Sequence, residues 1–513
     1  MAGIFHNKSF QIKAAPVVIR TEKVRDLPKS LSGLSKASSK SKLRKEKEVT
    51  VKCSRYSSKC PSSDPQVPST HNNIKNDLTK KTKILHKRSY TQNQLLNSDT
   101  SDSENSVDFE INSYKRQKLT THTNRKRKLR SAEAFSQCCS RNPNMIHAAD
   151  IVIDGKCLKK RLDSTHKVEF ELKYPSNSQP ERYALVFGDD FNPAEEVISV
   201  IRTILDFYFQ ENQIDCIRDP ETGTVRKLTK AYNLFSKDPS NKEQLTEFKR
   251  QVELYNSVIN EKVLDDTFSK NIDLVHEIPL YMVECILQQV YTRAVSPKVE
   301  ILKKYENGTD NVYGELLPPL ISKMLWDAGL TSEDIFVDLG SGVGNVVLQA
   351  SLEFGCESWG CEMMENAFTL AEAQKAEFEV RCRLWGIKTG CVFLERGDFL
   401  ENQKIHAAMQ KADVILVNNQ AFTPDLNQKL KDLFLDSKDG CRIISLKSFM
   451  PHGHQIPNRN LWDPANLFDV TERVYHSRSV SWTDAGGKYY IAKKDEKRLL
   501  NFSKQNQISL CNI

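Results

Sequence analysis

The sequence predicts an α/β protein in which a parallel sheet is wound by helices and closed by an antiparallel hairpin. An apolar strand at 335–339 runs into alternating glycines and a helical pattern, and strand–helix steps then recur through residue 447. Two short strand patterns, 480–483 and 488–492, flank the turn-forming segment 484–487. Alternating strands and helices indicate a doubly wound sheet, whose ligands lie at the carboxyl ends of its strands.

A basic arm precedes the predicted sheet. Residues 1–130 hold 29 Lys and Arg against 11 Asp and Glu, a net charge of +18, whereas the remaining 383 residues hold 45 against 55, a net of −10. Hydrophobic residues make up 39% of the 513, which indicates that part of the chain is unfolded. We predict a disordered arm over 1–150 that binds a polyanion such as nucleic acid.

Two basic clusters in this arm, Lys115-Arg116 and 125–128, have the spacing of a bipartite nuclear import signal. A solvated charge run is the alternative interpretation. The 13 scattered cysteines suit a reducing compartment. No run of 18 apolar residues and no secretory leader pattern is present, so we expect no membrane span.

A mostly helical subdomain is predicted over 151–330. A strand pattern at 183–187 is followed by Asn192-Pro193, which suit the N-cap and first position of a helix. Further helical patterns cover 225–262 and 279–295. The first helix should bury a stripe with i, i+3, i+4 spacing that comprises Val197, Val200, Ile201, Ile204, Leu205 and Tyr208.

The ligand-binding core is predicted over 331–498, followed by a tail at 499–513. Gly386 is placed to end a helix, and Thr423-Pro424 to begin one. The predicted strands are 335–339, 358–362, 391–395, 413–418 and 442–447, and the predicted helices lie near 344–354, 363–385 and 424–435. These steps and the terminal hairpin favour the seven-stranded sheet of class I S-adenosylmethionine-dependent methyltransferases over a dinucleotide fold.

The glycine loop predicts the type of ligand. Gly340, Gly342 and Gly344 have the spacing G-x-G-x-G, whereas the dinucleotide fingerprint is G-x-G-x-x-G. Glu362, 22 positions after Gly340, is placed to bind both hydroxyls of a ribose. The pattern favours S-adenosylmethionine over NAD, since no pyrophosphate has to be bound. A purely structural turn is the alternative.

Polar residues stand at the ends of further predicted strands and should meet in one crevice. Asp398 is placed to accept a hydrogen bond from an adenine amino group, with Phe399 stacking nearby; a turn role is equally compatible with Gly397-Asp398. The pair Asn418-Asn419 follows an apolar strand and is suited to orient an amine nucleophile without a charge. Turn residues are again the alternative.

Three aromatic residues, Phe422, Trp482 and Tyr489, are placed to line a narrow channel for an alkyl amine, although such residues are more often part of a core. His452 and His454 have no carboxylate or cysteine at ligand spacing, so we predict no metal site.

Several motifs together resemble the disruptor-of-telomeric-silencing family, the non-SET histone lysine methyltransferases. The basic region before the catalytic domain is similar to the fungal branch. The motifs are Val312-Tyr313-Gly314-Glu315, the segments 336–345 and 395–400, Val417-Asn418-Asn419 and Ser479-Val480-Ser481-Trp482-Thr483.

The resemblance implies a nuclear, monomeric enzyme that methylates lysine seventy-nine of histone H3 on nucleosomes. It implies one, two or three methyl groups added in successive encounters, DNA phosphate contacts through the arm, and roles in silencing and the DNA damage checkpoint. It implies an amine channel formed by Asn418, Asn419, Phe422, Trp482 and Tyr489. It implies cofactor contacts from Tyr313, Gly314, Glu315, Leu316, Phe336, Val337, Asp338, Leu339, Gly340, Ser341, Gly342, Val343, Gly344, Asn345, Glu362, Asp398 and Phe399. Gln420 departs from the family pattern, which has an aromatic residue there.

Two other functions stay open at this point. A methyltransferase for amino groups of nucleic-acid bases also uses an Asn motif after the fourth strand, but normally with a proline–aromatic continuation that Asn419-Gln420-Ala421 lacks. A chromatin-binding scaffold with a degenerate enzyme fold is the third hypothesis, and the intact glycine loop argues against it.

Overall fold

The computed structural model describes most of the chain from residue 126 onward. The described residues are 126–136, 144–153, 168–185, 191–210, 213, 217, 219, 222–238, 240–304, 313–451, 453–457, 459–461 and 463–505. Most of the basic arm, including Lys115-Arg116 and Arg125, therefore lies outside the described residues, as do His452 and the end of the tail. Within the described part, no helix is both long and apolar enough to span a bilayer.

A helical layer with a small hairpin precedes the central sheet. Asn192 caps the helix that begins at Pro193, because its Oδ1 accepts from the backbone amides of Ala194 and Glu195, and the predicted apolar stripe is buried. The pattern predicted at 225–262 forms two helices. The elements are α1 (Ala148–Ile153), β1 (Val168–Leu172), β2 (Glu181–Leu185), α2 (Pro193–Tyr208), α3 (Thr224–Phe235), α4 (Lys242–Leu264), α5 (Thr267–Ile272), α6 (Leu280–Ala294) and a 3₁₀ segment at Ser296–Lys304.

The core alternates strands and helices, as predicted. Thr423 caps its helix through a hydrogen bond from the Leu426 amide, and Gly386 follows another helix with φ +69°. The elements are α7 (Pro318–Asp327), β3 (Ile335–Leu339), α8 (Asn345–Gln349) with a π-helical extension (Ala350–Phe354), β4 (Glu357–Glu362), α9 (Glu365–Leu384), β5 (Val392–Arg396), α10 (Gln403–Lys411), β6 (Val414–Val417), α11 (Pro424–Leu433), β7 (Arg442–Ser445), β8 (Phe468–Tyr475), β9 (Gly487–Lys494) and α12 (Glu496–Gln505).

The seven strands of the core form one sheet in the order β5-β4-β3-β6-β7-β9-β8. The first five are parallel, and β9 runs antiparallel to both of its neighbours. The direction of winding changes between β3 and β6, which is where ligands of such sheets bind. This topology confirms the predicted fold class.

The terminal hairpin corrects the sequence prediction. Its first strand is β8, not 480–483, and Val480 instead forms an isolated bridge with Leu316. The strand β8 was missed because polar residues such as Asp469, Thr471 and Glu472 fill it. Its pairing with β9, the next strand of the hairpin, decides its structure rather than local propensity. Helix α10 was also missed, although it has a local signal: the Asn402 side chain caps it by accepting from the Lys404 and Ile405 amides.

Residues 126–136, which we call the docked segment, correct the prediction of disorder through residue 150. Arg127 is 5% exposed and donates from its guanidinium to the carbonyl oxygens of Leu352 and Glu353, at the end of the π-helical turn. Leu129 is buried in the core, and the Ser131 amide donates to Gly386 O across 3.0 Å. Apolar burial and the capping of helix carbonyls outweigh the ordering entropy here, which charge composition alone does not reveal.

A buried ionic cluster fixes the helical layer to the core. The Glu181 carboxylate at the start of β2 accepts hydrogen bonds from Arg293 of α6 at 2.7 Å and from Arg381 of α9 at 2.9 Å. Burial alone would raise the pKa of Glu181, but the two guanidinium groups hold it well below its usual range. Removal of one member would leave a buried charge without its partner, which is strongly destabilising. The cluster therefore holds the helical layer in a fixed position against the core.

Candidate active site

A cavity of about 430 Å³ opens at the carboxyl ends of β3, β4 and β6. Its volume lies in the range of small-molecule sites. Most of the predicted site residues line it, namely Tyr313, Gly314, Glu315, Leu316, Asp338, Gly340, Ser341, Gly342, Val343, Asn345, Glu362, Asp398, Phe399, Asn418 and Phe422.

The glycine loop forms the floor of this cavity. Gly340 and Gly342 have φ values of +82° and +57°, which strain any residue with a Cβ. The amides of Gly340 and Ser341 both donate to Cys361 O, at 3.0 and 2.9 Å, so the loop is fixed to the end of β4. A Cβ on Gly342 would lie 3.1 Å from the Tyr313 ring, which places that ring against the loop.

Two carboxyl groups face the loop. Glu362 accepts from the amides of Gly342 at 2.8 Å and Met364 at 2.7 Å, one with each oxygen. Burial raises the pKa of Glu362 above its ordinary value, although these backbone hydrogen bonds oppose the shift. Burial, together with the charge of Glu362, raises the pKa of Asp338 to about 8. Asp338 therefore binds a proton at neutral pH unless a cation neutralises it.

Residues 313–316, which we call the closing segment, form one wall. The Glu315 amide donates to Ser481 Oγ and the Ser481 amide donates to Glu315 O, both across 2.9 Å. Trp482 packs on Gly314 so closely that a Cβ there would lie 2.7 Å from Trp482 Cε3. Only glycine at position 314 therefore permits this contact.

Asn418 connects the closing segment to the end of β6. Its Nδ2 donates to Gly314 O across 3.2 Å, while its buried Oδ1 has no hydrogen-bond partner among the described residues. A buried amide oxygen without a partner costs about 1–3 kcal/mol, so a ligand donor that satisfies it would bind favourably. Since Asn418 lines the cavity, its Oδ1 is available to a donor on a ligand bound there.

The end of the cavity at β5 holds Asp398 and two phenylalanines. Asp398 Oδ1 accepts from the Leu400 amide at 2.8 Å, so the residue does have the turn role that the sequence left open, and it lines the cavity as well. The rings of Phe399 and Phe422 lie nearly parallel with centroids 6.3 Å apart. The pair forms an apolar wall.

Some predicted site residues do not line the cavity. Asn419 is fully buried, and its side chain makes four hydrogen bonds, to Asn427, Lys447 and the amides of Leu446 and Lys447, so it is a structural residue of the turn.

Tyr489 corrects the predicted channel too, since its ring is buried in the core and its hydroxyl donates to Asp327. Trp482 does not line the cavity, but it contacts Gly314, which does. Gln420 is exposed and forms no wall. Phe336, Val337, Leu339 and Gly344 pack beneath the loop or within the sheet.

Sequence reasoning missed several lining residues, mostly in the first turns of α11 and after Glu362. Lys429 and Asp425 form an ion pair at 3.2 Å on that helix, one turn apart. Helix α11 starts directly after the end of β6, so its first turns had a positional signal that was not used. The missed residues are Val346, Met363, Met364, Leu400, Leu416, Thr423, Asp425, Leu426 and Lys429.

Comparison with known proteins identifies relatives along most of the chain. A family profile described as "Histone methylation protein DOT1" matches residues 291–493. A histone-lysine N-methyltransferase, H3 lysine-79 specific, from Aspergillus fumigatus is 45% identical over 82% of this chain and 84% of its own length. The protein of the same description from Emericella nidulans is 49% identical over 74% of this chain and 75% of its own.

Among solved structures, a putative RNA methyltransferase from Pyrococcus horikoshii covers 42% of this chain and 97% of its own at 16% identity, with a TM-score of 0.27, which says nothing about substrate. The relatives confirm the resemblance expected from the sequence, and with it an S-adenosylmethionine-dependent histone-lysine N-methyltransferase. Identity of this extent over most of both chains establishes that the chain belongs to the DOT1 family of histone methylation proteins.

Proposed function

We propose that this enzyme methylates the side-chain amine of lysine 79 of histone H3, the residue for which its relatives from Aspergillus fumigatus and Emericella nidulans are specific by name. The observation that supports this most directly is the unpaired Oδ1 of Asn418. An amide oxygen accepts a hydrogen bond from an amine without supplying the negative charge that would stabilise an ammonium ion. Asn418 therefore orients the amine while leaving its lone pair available.

The cavity has the donors and acceptors that S-adenosylmethionine requires. In our proposal, Glu362 binds the ribose hydroxyls, Asp398 accepts from the adenine amino group, and the closing segment covers the methionine end. When bound, the cofactor would supply a methyl group on its sulfonium sulfur; transfer to the neutral amine would break the sulfur–methyl bond and leave S-adenosylhomocysteine, and the proton of the methylated amine would pass to water. The loop glycines let the backbone approach such a ligand closely, since a Cβ on Gly340 would meet only Phe422, at 4.0 Å.

The chain's own residues promote this transfer by positioning and by exclusion of water. A lysine of pKa about 10.4 is only about 0.1% neutral near pH 7.4. The walls formed by Phe422 and Leu416 desolvate the amine and so favour its neutral form. Asn418 Oδ1 then accepts from the amine nitrogen, while Asn418 Nδ2 donates to Gly314 O of the closing segment. Both partners are thereby held in position for transfer.

The finer aspects of the proposal concern the substrate particle. We propose that the enzyme acts on H3 within nucleosomes as a monomer in the nucleus and adds one, two or three methyl groups in successive encounters. The basic arm contacts DNA phosphates without reading sequence, because lysine contacts to the phosphate backbone carry no base information. Silencing and checkpoint roles would follow from methylated chromatin.

The test is transfer of labelled methyl from S-adenosylmethionine to four substrates side by side: reconstituted nucleosomes, free histones, bare DNA and RNA. We expect label only in H3 of nucleosomes, and none when histone H3 carries arginine at position 79. Label in nucleic acid would favour a base methyltransferase instead. A folded protein that binds no S-adenosylmethionine and transfers no label would favour a scaffold.

A further inference from the structure

Helix α3 carries an unbalanced row of positive charges on the helical layer, away from the cavity residues. Arg226, Lys227 and Lys230 lie within its 12 residues, which include no acidic residue. All three are exposed, and Lys227 and Lys230 line a shallow groove together with exposed Lys242 at the start of α4. We call these four side chains the lysine face.

The other helices balance their charges differently. Lys249 pairs with Glu253, Lys262 with Asp265 and Lys323 with Asp327, each one helical turn apart. On α3, by contrast, residues one turn apart carry like charges, which destabilises a helix by a few tenths of a kcal/mol per pair. The residues after position 130 carry a net charge of −10, so a cluster of positive charges among them is unusual. A bound anion would reduce the repulsion between these charges.

Two acidic residues, Glu243 and Glu247, line the groove; the charge of Lys227 contributes to the lowered pKa of Glu247, but Arg250 contributes more. Glu247 accepts from Arg250 at 2.8 Å and from Gln251 at 2.7 Å. Its pKa is lowered chiefly by the hydrogen bond from Arg250, which shows that its charge is already compensated. No described residue forms an ion pair with a member of the lysine face.

We propose that the lysine face binds the phosphate backbone of nucleosomal DNA, as a second DNA contact besides the basic arm. Lysines are compact, strongly hydrated point charges that bind phosphates without a fixed geometry, and the guanidinium of Arg226 also suits a phosphate. On α3 the charges extend along about 6 Å of helix, which corresponds to about two phosphate spacings on one strand, and Lys242 on α4 adds a fourth charge. The proposal rests on the proposed nucleosomal substrate for its biological meaning, but its test does not.

The experiment measures binding of the full chain to a 30-base-pair duplex at several salt concentrations, without histone or cofactor. The variant Lys227→Gln/Lys230→Gln/Lys242→Gln should lower the slope of log K against log salt by about 2 to 3, since each phosphate contact contributes about 0.9. The control Lys411→Gln/Lys493→Gln/Lys497→Gln removes three exposed lysines on other elements and should leave the slope unchanged.

Equal slopes for the two triple variants would overturn the proposal. If the slopes were equal but nucleosome methylation still fell in the α3–α4 variant, the partner of the lysine face would be an acidic protein surface, and the DNA assignment would be wrong. Because binding to bare DNA needs no methyl transfer, an inactive enzyme would leave this test intact.

Discussion

Asn418 and Gly314 are 104 residues apart in sequence and are joined by one hydrogen bond, from Asn418 Nδ2 to Gly314 O at 3.2 Å. The bond fixes the end of β6 to the closing segment, and Asn418 Oδ1 is left in the cavity with no hydrogen-bond partner in the part of the chain that the structure describes. The same side chain is thus placed to hold both the cofactor wall and the amine, which makes it the most informative position for mutagenesis.

Replacement of Asn418 with alanine should lower kcat on nucleosomes by about 10- to 100-fold, the effect expected from losing one or two hydrogen bonds of about 1–3 kcal/mol. Steady-state kinetics on reconstituted nucleosomes checks this. Gln420→Ala is the matched control, since this nearby amide side chain is exposed and should be replaceable without effect. A kcat near that of the wild type for Asn418→Ala would contradict the amine-orienting role.

Asn419→Ala should affect stability rather than catalysis. The substitution removes four hydrogen bonds from a fully buried side chain, including those accepted from the Leu446 and Lys447 amides. We expect the free energy of unfolding to fall by about 2–4 kcal/mol, measured by urea denaturation. If the variant kept its stability but lost activity, Asn419 would have a role in catalysis instead.

Gly314→Ala should weaken cofactor binding, because the new Cβ would lie 2.7 Å from Trp482 Cε3 and would displace the closing segment. Calorimetric titration with S-adenosylmethionine should show an affinity at least about tenfold lower, equivalent to about 1.4 kcal/mol. Adding Trp482→Leu should recover part of the loss, since the clash is then relieved. Full affinity in the single variant would show that the wall adapts.

Asp338 should make stability depend on pH. Its pKa is about 8 in the folded chain, above the value of about 3.9 for an exposed aspartate, so folding takes up a proton between these values. The stabilisation is complete at low pH and is lost as the pH rises through about 8. Urea unfolding from pH 5 to 9 should show stability falling with pH, and Asp338→Asn should flatten that dependence.

Two truncations on either side of the docked segment should differ in melting temperature. Deletion of residues 1–125 should keep the melting temperature and cofactor affinity but impair nucleosome methylation, because DNA contacts are lost. Deletion of residues 1–136 should also lower the melting temperature, because Leu129 and the guanidinium of Arg127 leave buried positions. Equal melting temperatures for the two proteins would show that the segment contributes nothing to the fold.

Local signals in the sequence were sufficient for much of the fold and for the cofactor side of the cavity. The caps at Asn192 and Thr423, the glycine loop and Glu362 each depend on neighbours within a few residues, so their patterns are read directly. Strand β8 has a polar sequence, and its pairing with β9 rather than an apolar pattern makes it a strand. Tyr489 was misplaced because alternation along β9 shows two faces but not which face the core covers.

The two asparagines at 418 and 419 illustrate the same limit. Adjacent residues after a strand point in different directions, and only the surrounding segments decide which amide reaches the cavity. The docked segment was missed because its lysines and arginines resemble the basic sequence before it, for which the composition predicted disorder. What orders it is a set of carbonyl groups at 352–353 that are more than 200 residues away.

The docked segment also fixes the point on the catalytic domain at which the basic arm is attached. The basic region before residue 126 starts from a fixed point on the catalytic domain, where Lys126 pairs with Glu333 at 3.1 Å. If the arm binds DNA as proposed, the active site would be confined to a small volume around the bound site, and its effective concentration there would rise as for any tethered pair. The enzyme would then return to the same nucleosome more often than free diffusion allows, which favours repeated methylation of one particle even when each transfer ends in release of the lysine.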